Sequence, residues 1–193
     1  MRLPNHTLTT TVVFLTSLSA LTLDVSAESP ANETKPTTVS VFGAAEMTVP
    51  PQFKRVDVQS RILEHEFQAK AGEGDAAQTA RVTMMAAGGD VADNIKRWNG
   101  QFAGGDKAAQ KSEAMKIGDW QVHIVDASGS YQERMGGGPF AGGKVVTRED
   151  YGMTGAILVH PEGRKYFVKM IGPATVIKAN RKAFVDMIKS IDK

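Results

Sequence analysis

Alternating apolar and polar side chains predict β-strands through the middle of the chain. Between 61 and 69, Leu63 and Phe67 point to one face, and Glu64 and Glu66 point to the other. Extended segments bounded by turns rich in glycine or proline lie at 47–49, 61–69, 80–86, 112–117, 120–125, 151–159 and 165–171. Because neighbouring strands joined by short turns pair antiparallel, we expect an antiparallel sheet of about six or seven strands.

In two other segments the apolar residues recur every three to four positions, and this spacing predicts the two main helices. Asp90 opens the first, and its carboxylate is placed to accept from the free N–H groups of the first turn. Its apolar stripe comprises Val91, Ile95, Trp98 and Phe102, with Gly104–Gly105 at its end. Thr175 is expected to cap the second, whose inner face comprises Ile177, Asn180, Phe184, Met187, Ile188 and Ile191.

The helices do not alternate with the strands, which favours an α+β fold over a doubly wound α/β fold. We expect the stripes of Trp98 and Phe184 to cover the apolar side of a single sheet. The outward face of the last helix is basic and comprises Lys178, Arg181, Lys182 and Lys189.

The first 27 residues have the layout of a secretory signal peptide. Arg2 precedes an apolar stretch from Val12 to Leu23, and small residues lead to a cleavage site between Ala27 and Glu28. The stretch is shorter than the roughly 20 apolar residues that span a bilayer. An uncleaved anchor or a frayed tail is the alternative. Polar residues 28–40 predict a flexible leader, and 41–193 a single α+β domain.

Composition narrows the class of protein without indicating a reaction. The 193 residues include 23 Lys and Arg, 21 Asp and Glu, and no cysteine, and 41% of them are apolar. These values exclude a polytopic membrane protein and a disulfide scaffold. The net charge of +2 supplies little attraction for phosphate, which argues against a nucleic-acid partner. After removal of the signal peptide we expect no integral membrane segment.

A glycine-rich segment, 132–149, is predicted to be a long loop. Gly136, Gly137, Gly138 and Phe140 are candidate binding residues in it, since loops often carry binding sites. The spacing from Gly138 to Lys144 matches a phosphate-binding loop, but valine follows the lysine where serine or threonine should hold magnesium. We therefore expect a partner-binding or simply mobile loop, and no nucleotide cofactor.

Asp126 is the acid most suited to a special role, because it continues the apolar face of Trp120, Val122 and Ile124. An acid there lies at the sheet margin or is buried with a partner such as an arginine. Glu64 and Glu66 share a strand face, for which a polar outer surface is the simpler explanation. The histidines at 65, 123 and 160 lack the local spacing of metal ligands, so no metal site is predicted.

Several stretches resemble a group of exported bacterial proteins of unknown function. The similarity lies in 94–102, in 122–131, in 153–159 and in Tyr166–Pro173, and extends over about 46 to 191. That group is similar to the PsbP-type fold, an antiparallel sheet with helices packed against it, which also occurs in an extrinsic photosystem subunit and a nuclear-import factor. The resemblance implies a binding scaffold rather than an enzyme, and it transfers no functional residue.

We therefore expect an exported, non-catalytic accessory domain in the periplasm or the medium. It would bind a protein or a small ligand through 132–149 and a sheet face. One alternative is a hydrolase or other enzyme with an acid site near Asp126, which a pocket joining Asp126 to a histidine and a basic residue would favour. Another is an envelope-associated structural protein that contacts anionic surfaces through the basic face of the last helix.

Overall fold

Long alternating strands build the centre of the molecule, as a computed structural model of the chain shows. It describes residues 37–58, 60–105, 109–135 and 144–191, all within one compact unit, 33–193. The strands are β1 Thr37–Val41, β2 Ala45–Val49, β3 Lys54–Arg55, β4 His65–Ala71, β5 Gln78–Ala87, β6 Phe102–Ala103, β7 Lys111–Ile117, β8 Trp120–Met135, β9 Lys144–Val159 and β10 Lys165–Pro173. The two helices are α1 Val91–Asn99 and α2 Ala174–Lys189.

Eight strands form the main sheet, in the order β3-β4-β5-β10-β9-β8, and β8 pairs with β7 along its first half and with β6 near its end. Every pairing is antiparallel. The strands β1 and β2 form a separate two-stranded hairpin. The predicted α+β class, antiparallel sheet and two main helices are confirmed, with more strands than predicted.

The sheet buries apolar side chains on both faces. On one face, α2 and the β1–β2 hairpin pack over Phe67, Val82, Leu158 and Val168. On the other, Trp98 of α1 packs with Val125, Ile157, Phe167 and Met153. Adjacent residues of β10 alternate between the two clusters, as the two-residue period of a strand requires.

The expectation that both helical stripes cover one side of the sheet is therefore wrong. Trp98 and Phe184 lie on opposite faces, because β9 and β10 bury apolar side chains on both faces of the sheet. Alternation along a strand identifies two faces but does not say which helix covers which. A sheet covered unequally on its two sides leaves room for a cleft on the less covered one.

Several predicted boundaries also differ from the structure. Thr37–Val41 is a strand, so 37–40 belong to a hairpin rather than to a leader, and 28–36 lie outside the described residues. Residues 132–135 and 144–149 extend β8 and β9, so only 136–143, which lie outside the described residues, stay within the predicted loop. The first helix ends at Asn99, before Gly100 rather than Gly104.

Candidate functional site

The helix α1 forms one wall of a cleft on the less covered face of the sheet. Its first turn is capped by Asp90, whose Oδ1 accepts from the N–H groups of Ala92 (2.7 Å) and Asp93 (3.2 Å). Trp98 anchors the helix against Gly155 of β9, where a Cβ atom would lie 2.5 Å from the indole ring. Trp98 also meets Phe167 edge to face, with ring centroids 5.1 Å apart.

Because α1 is only nine residues long, part of this face stays open. A cavity of about 750 Å³ lies between the helix and strands β5 and β10. Its apolar floor comprises Met85, Trp98 and Phe167, and its polar lining includes Thr83, Asp90, Asp93, Arg97, Gln101 and Lys169. A volume of this size suits a small organic ligand.

Lys169 lines the cleft beside Gln101. It is flanked in β10 by the buried Val168 and Met170, and its own side chain points to the α1 face. The Nζ atom is 3.4 Å from Oε1 of Gln101 and 5.8 Å from the centroid of the Trp98 ring. Burial, and then the positive charges of Arg97 and Arg81, lower the pKa of Lys169 from 10.5 to about 8.

Arg97 adds a second positive charge at the same end of the cleft. Its Nη2 donates to Oδ1 of Asn94 at 2.6 Å. The buried Asn94 is itself held, since its Nδ2 donates to the carbonyl oxygens of Gly88 (3.0 Å) and Asp90 (2.8 Å). Among the described residues, no carboxylate lies within 4.0 Å of the charged nitrogens of Lys169 or Arg97.

Arg81, the third cation, differs because an acid neutralises it. Its Nε and Nη2 donate to the two carboxylate oxygens of Glu66 at 2.5 and 3.0 Å, and this hydrogen bonding raises the pKa of Arg81. Glu66 is only 5% exposed. The prediction that Glu66 belongs to a polar outer face is therefore wrong, since the arginine covers it. Glu64 instead accepts from the N–H group of Ala86 at 3.2 Å.

The cleft continues towards the long β8–β9 ribbon. Lys169 and Thr83 also line a neighbouring cavity of about 260 Å³, together with Tyr131 and Tyr151. The rings of these two tyrosines stack with centroids 6.1 Å apart. Burial raises the pKa of Tyr131, so its hydroxyl stays neutral at physiological pH. The open face therefore combines aromatic surfaces with two cations, Lys169 and Arg97, that have no carboxylate within 4.0 Å among the described residues.

Asp126 lies on the opposite face, away from this cleft. It accepts three hydrogen bonds from Arg181 of α2, the shortest at 2.7 Å, and one from the hydroxyl of Thr154 at 2.8 Å. The expectation of an arginine partner is confirmed. Of the described residues that line the adjoining cavity, none is a histidine. The feature that would have favoured an enzyme around Asp126 is thus missing there, and the ion pair has a structural explanation.

The basic face of α2 is partly neutralised as well. Arg181 pairs with Asp126, and Nζ of Lys182 is 2.6 Å from the carboxylate of Asp186. The predicted cap at Thr175 is wrong, because α2 begins after Pro173 without a side-chain cap and the Thr175 hydroxyl donates to Gln78 at 3.0 Å. The envelope-associated alternative therefore depends on fewer free charges than the sequence suggests.

The remaining predicted residues do not gather into a site. His65 and His123 lie in β4 and β8, with three strands between them. Within the described ranges, no group of three His, Asp or Glu side chains is placed to hold a metal ion. Gly136, Gly137, Gly138 and Phe140, like the cleavage site at Ala27 and Glu28, lie outside the described residues.

Sequence reasoning missed Lys169, although the sequence contains a signal for it. The run from Tyr166 to Ile171 is apolar except for this lysine, and a lone cation inside a buried strand calls for a partner or a ligand. Arg97 and Gln101 gave no comparable signal. They resemble any polar residues of an exposed helix and the loop that follows it.

Comparison with protein-family models finds no match, and comparison with curated proteins finds none either. In the described part of the chain, neither helix is long and apolar enough to cross a bilayer. The function is therefore argued from the cleft itself.

Proposed function

We propose that the chain is an exported, non-catalytic binding domain that holds a small ligand in the cleft beside α1. The observation that carries the proposal is Lys169, a charged side chain that lines a cavity of about 750 Å³ with an aromatic floor. Binding sites of this kind are concave and largely apolar, with a few polar groups that orient the ligand. The proposed site lies on a sheet face, as expected from the sequence, but none of the described residues of 132–149 lines the cavity beside α1.

The finer fold assignment forms part of the same proposal. An antiparallel sheet with helices packed on it is compatible with the PsbP-type fold that the sequence resembles. Proteins with that fold serve as binding or accessory factors, which fits a cleft that suits a small ligand. Fold similarity alone does not assign a ligand, so the test must address the cleft.

The neutral fluorophore N-phenyl-1-naphthylamine tests whether the cleft binds an apolar ligand. We expect it to bind the protein in a 1:1 ratio with increased emission. Thr83→Tyr fills the centre of the cleft and should weaken binding at least about tenfold. Ser128→Tyr, which fills the cavity beside Asp126 on the opposite face, should leave it within about twofold.

Far-UV circular dichroism establishes that both variants are folded. Ala87→Phe, which narrows the other end of the same cleft, serves as a second blocking variant if Thr83→Tyr is unstable. Failure of the wild type to bind the fluorophore would refute the proposed cleft. Equal weakening by Ser128→Tyr would place the binding elsewhere.

Export is proposed from the N-terminal sequence and has its own test. When the full chain is produced in a bacterial host, the protein recovered from the periplasm or medium should begin at Glu28. Intact-mass spectrometry measures this directly. Recovery of a chain that still carries its first 27 residues from the cytoplasm would contradict it.

A further inference from the structure

We propose that the ligand of this cleft is an amphipathic anion. Its acidic group binds between Lys169 and Arg97, and its apolar body lies on Met85, Trp98 and Phe167. The inference rests on the proposed binding function and adds the chemical class of the ligand. A carboxylate, sulfonate or phosphate headgroup would serve equally, since the charge and the apolar body are what the cleft recognises.

The balance of charges around Lys169 and Arg97 favours binding of an anion. The charge of Arg81 is matched by Glu66, whereas Lys169 and Arg97 face the cavity without a carboxylate partner among the described residues. A partly buried cation is costly unless an opposite charge compensates it. A bound anion would provide that compensation and accept hydrogen bonds from the amide of Gln101 and the ammonium of Lys169.

The two acids of the cleft, Asp90 and Asp93, lie at the start of α1, and Arg97 lies towards its end. The carboxylate of Asp90 already caps the helix. Asp90 precedes Arg97 by seven positions and Asp93 precedes it by four, which places them about 10 Å and about 6 Å from Arg97 along the axis. Both carboxylates would repel an anion at their own end of the helix. The headgroup is therefore expected at the Arg97 end.

The inference is tested with two fluorophores of nearly the same shape. The sulfonate 1-anilinonaphthalene-8-sulfonate carries a negative charge, and N-phenyl-1-naphthylamine is its neutral counterpart. Lys169→Met keeps most of the apolar stem and removes the charge. At pH 7 we expect it to weaken binding of the sulfonate at least about tenfold more than it weakens binding of the neutral probe.

Two further variants separate charge from structure. Lys169→Arg retains the positive charge and should keep sulfonate binding within about threefold of the wild type. Lys165→Met removes another lysine from the same strand, outside the cleft, and should change neither affinity. Circular dichroism of every variant guards against probe binding to a partly unfolded chain.

Proton uptake provides a readout that a merely structural lysine would not show. An anion next to Lys169 raises its pKa, so binding of the sulfonate at pH 8.5 should take up protons, measured by calorimetry in two buffers of different ionisation enthalpy. The other charged or titratable groups that line the cavities around Lys169 are Arg81, Arg97, Asp90, Asp93, Glu66, Glu133, Tyr131 and Tyr151. Because these are unchanged in Lys169→Arg, uptake should disappear in that variant.

The outcomes distinguish this inference from the function on which it rests. If the neutral probe binds the cleft and Lys169→Met leaves sulfonate affinity unchanged, the anionic ligand class is refuted and the binding function stands. If the neutral probe does not bind the wild type, the binding function itself fails. Proton uptake that persists in Lys169→Arg would assign the titration to another group and overturn the role of Lys169.

Discussion

Lys169 interrupts a buried strand in which an apolar residue would pack without an electrostatic penalty. Its neighbours Val168 and Met170 are fully buried, and its own ammonium has an amide and an aromatic ring within reach. The lowered pKa records the cost of this position, because it means that the folded state disfavours the charged form. The proposed ligand would account for a residue that lowers stability where it stands.

The cost of Lys169 predicts how stability depends on pH. The pKa of Lys169 is about 8 in the folded protein and near 10.5 in the unfolded chain. Between pH 8 and 10.5 the unfolded state therefore binds more protons than the folded state, and the free energy of unfolding of the wild type rises with pH. Below pH 8 the penalty is fully present. We expect Lys169→Met to be more stable than the wild type by about 1–2 kcal/mol at pH 7, and this advantage to shrink between pH 8 and 10.

Urea unfolding of the two proteins across that range measures the difference. Burial raises the pKa of Tyr131 and Tyr166, but both tyrosines occur in both proteins and their contributions cancel in the comparison. A difference in the free energy of unfolding that is constant from pH 7 to 10 would contradict the prediction.

Asp126 illustrates the opposite case, an acid that serves the fold. Its substitution by alanine would leave the fully buried hydroxyl of Thr154 without its acceptor and Arg181 without its bidentate partner. We expect Asp126→Ala to lower the free energy of unfolding by about 1–3 kcal/mol. Asp186→Ala breaks an exposed pair with Lys182 and should cost less than about 0.5 kcal/mol. Chemical denaturation compares them, and similar losses would contradict this account.

Single residues also show where sequence reasoning succeeds and where it stops. An arginine partner for Asp126 follows from the cost of placing an acid on an apolar face, and no spatial information is needed. The burial of Glu66 does not follow, because it depends on Arg81 from the next strand covering it. The cleft was missed for the same reason, since it arises from α1 covering only part of a face.

At the scale of elements, the two helices begin in different ways. Asp90 caps α1 by accepting from two backbone N–H groups, whereas α2 follows directly from β10 with Thr175 turned towards Gln78. Both starting residues are typical caps in sequence. What separates them is the backbone before the helix, since a strand running straight into α2 leaves no extended cap residue with a side chain that can accept.

This difference predicts unequal effects of removing the two side chains. Asp90→Ala should cost about 1 kcal/mol of stability and speed hydrogen exchange in the first turn of α1, because two N–H groups lose their acceptor. Thr175→Ala should stay within about 0.5 kcal/mol. Thermal unfolding with hydrogen-exchange mass spectrometry measures both, and protection lost at α2 in Thr175→Ala would reveal a capping role there.

The strands themselves could be predicted wherever alternation was clean, and the ribbon formed by β8 and β9 shows the limit. Each of these strands has 16 residues, and their distal halves are polar and pair with each other beyond the apolar core. A polar segment rich in glycine has the composition of a loop. Pairing between β8 and β9, which composition does not report, makes 132–135 and 144–149 part of the sheet, and neither of these stretches contains a glycine.

For the whole molecule, the two apolar clusters share one sheet. The cluster under α2 and the hairpin includes Trp120, and the cluster under α1 includes Trp98. Strands β9 and β10 contribute alternate residues to both, so neither cluster persists if these strands separate. The absence of cysteine means that this shared sheet, without any disulfide, must hold the fold together.

Because both apolar clusters depend on β9 and β10, we expect a single cooperative unfolding transition. The two tryptophans report on it from opposite faces of the sheet. In Trp120→Phe the remaining emission comes from Trp98 beside the cleft, and in Trp98→Phe it comes from Trp120 under the hairpin. Within each variant, we expect the urea midpoint from fluorescence to equal the midpoint from far-UV circular dichroism. A Trp98 transition that precedes the loss of strand signal would show instead that α1 detaches first, and the ligand cleft would then open independently of the sheet that forms its floor.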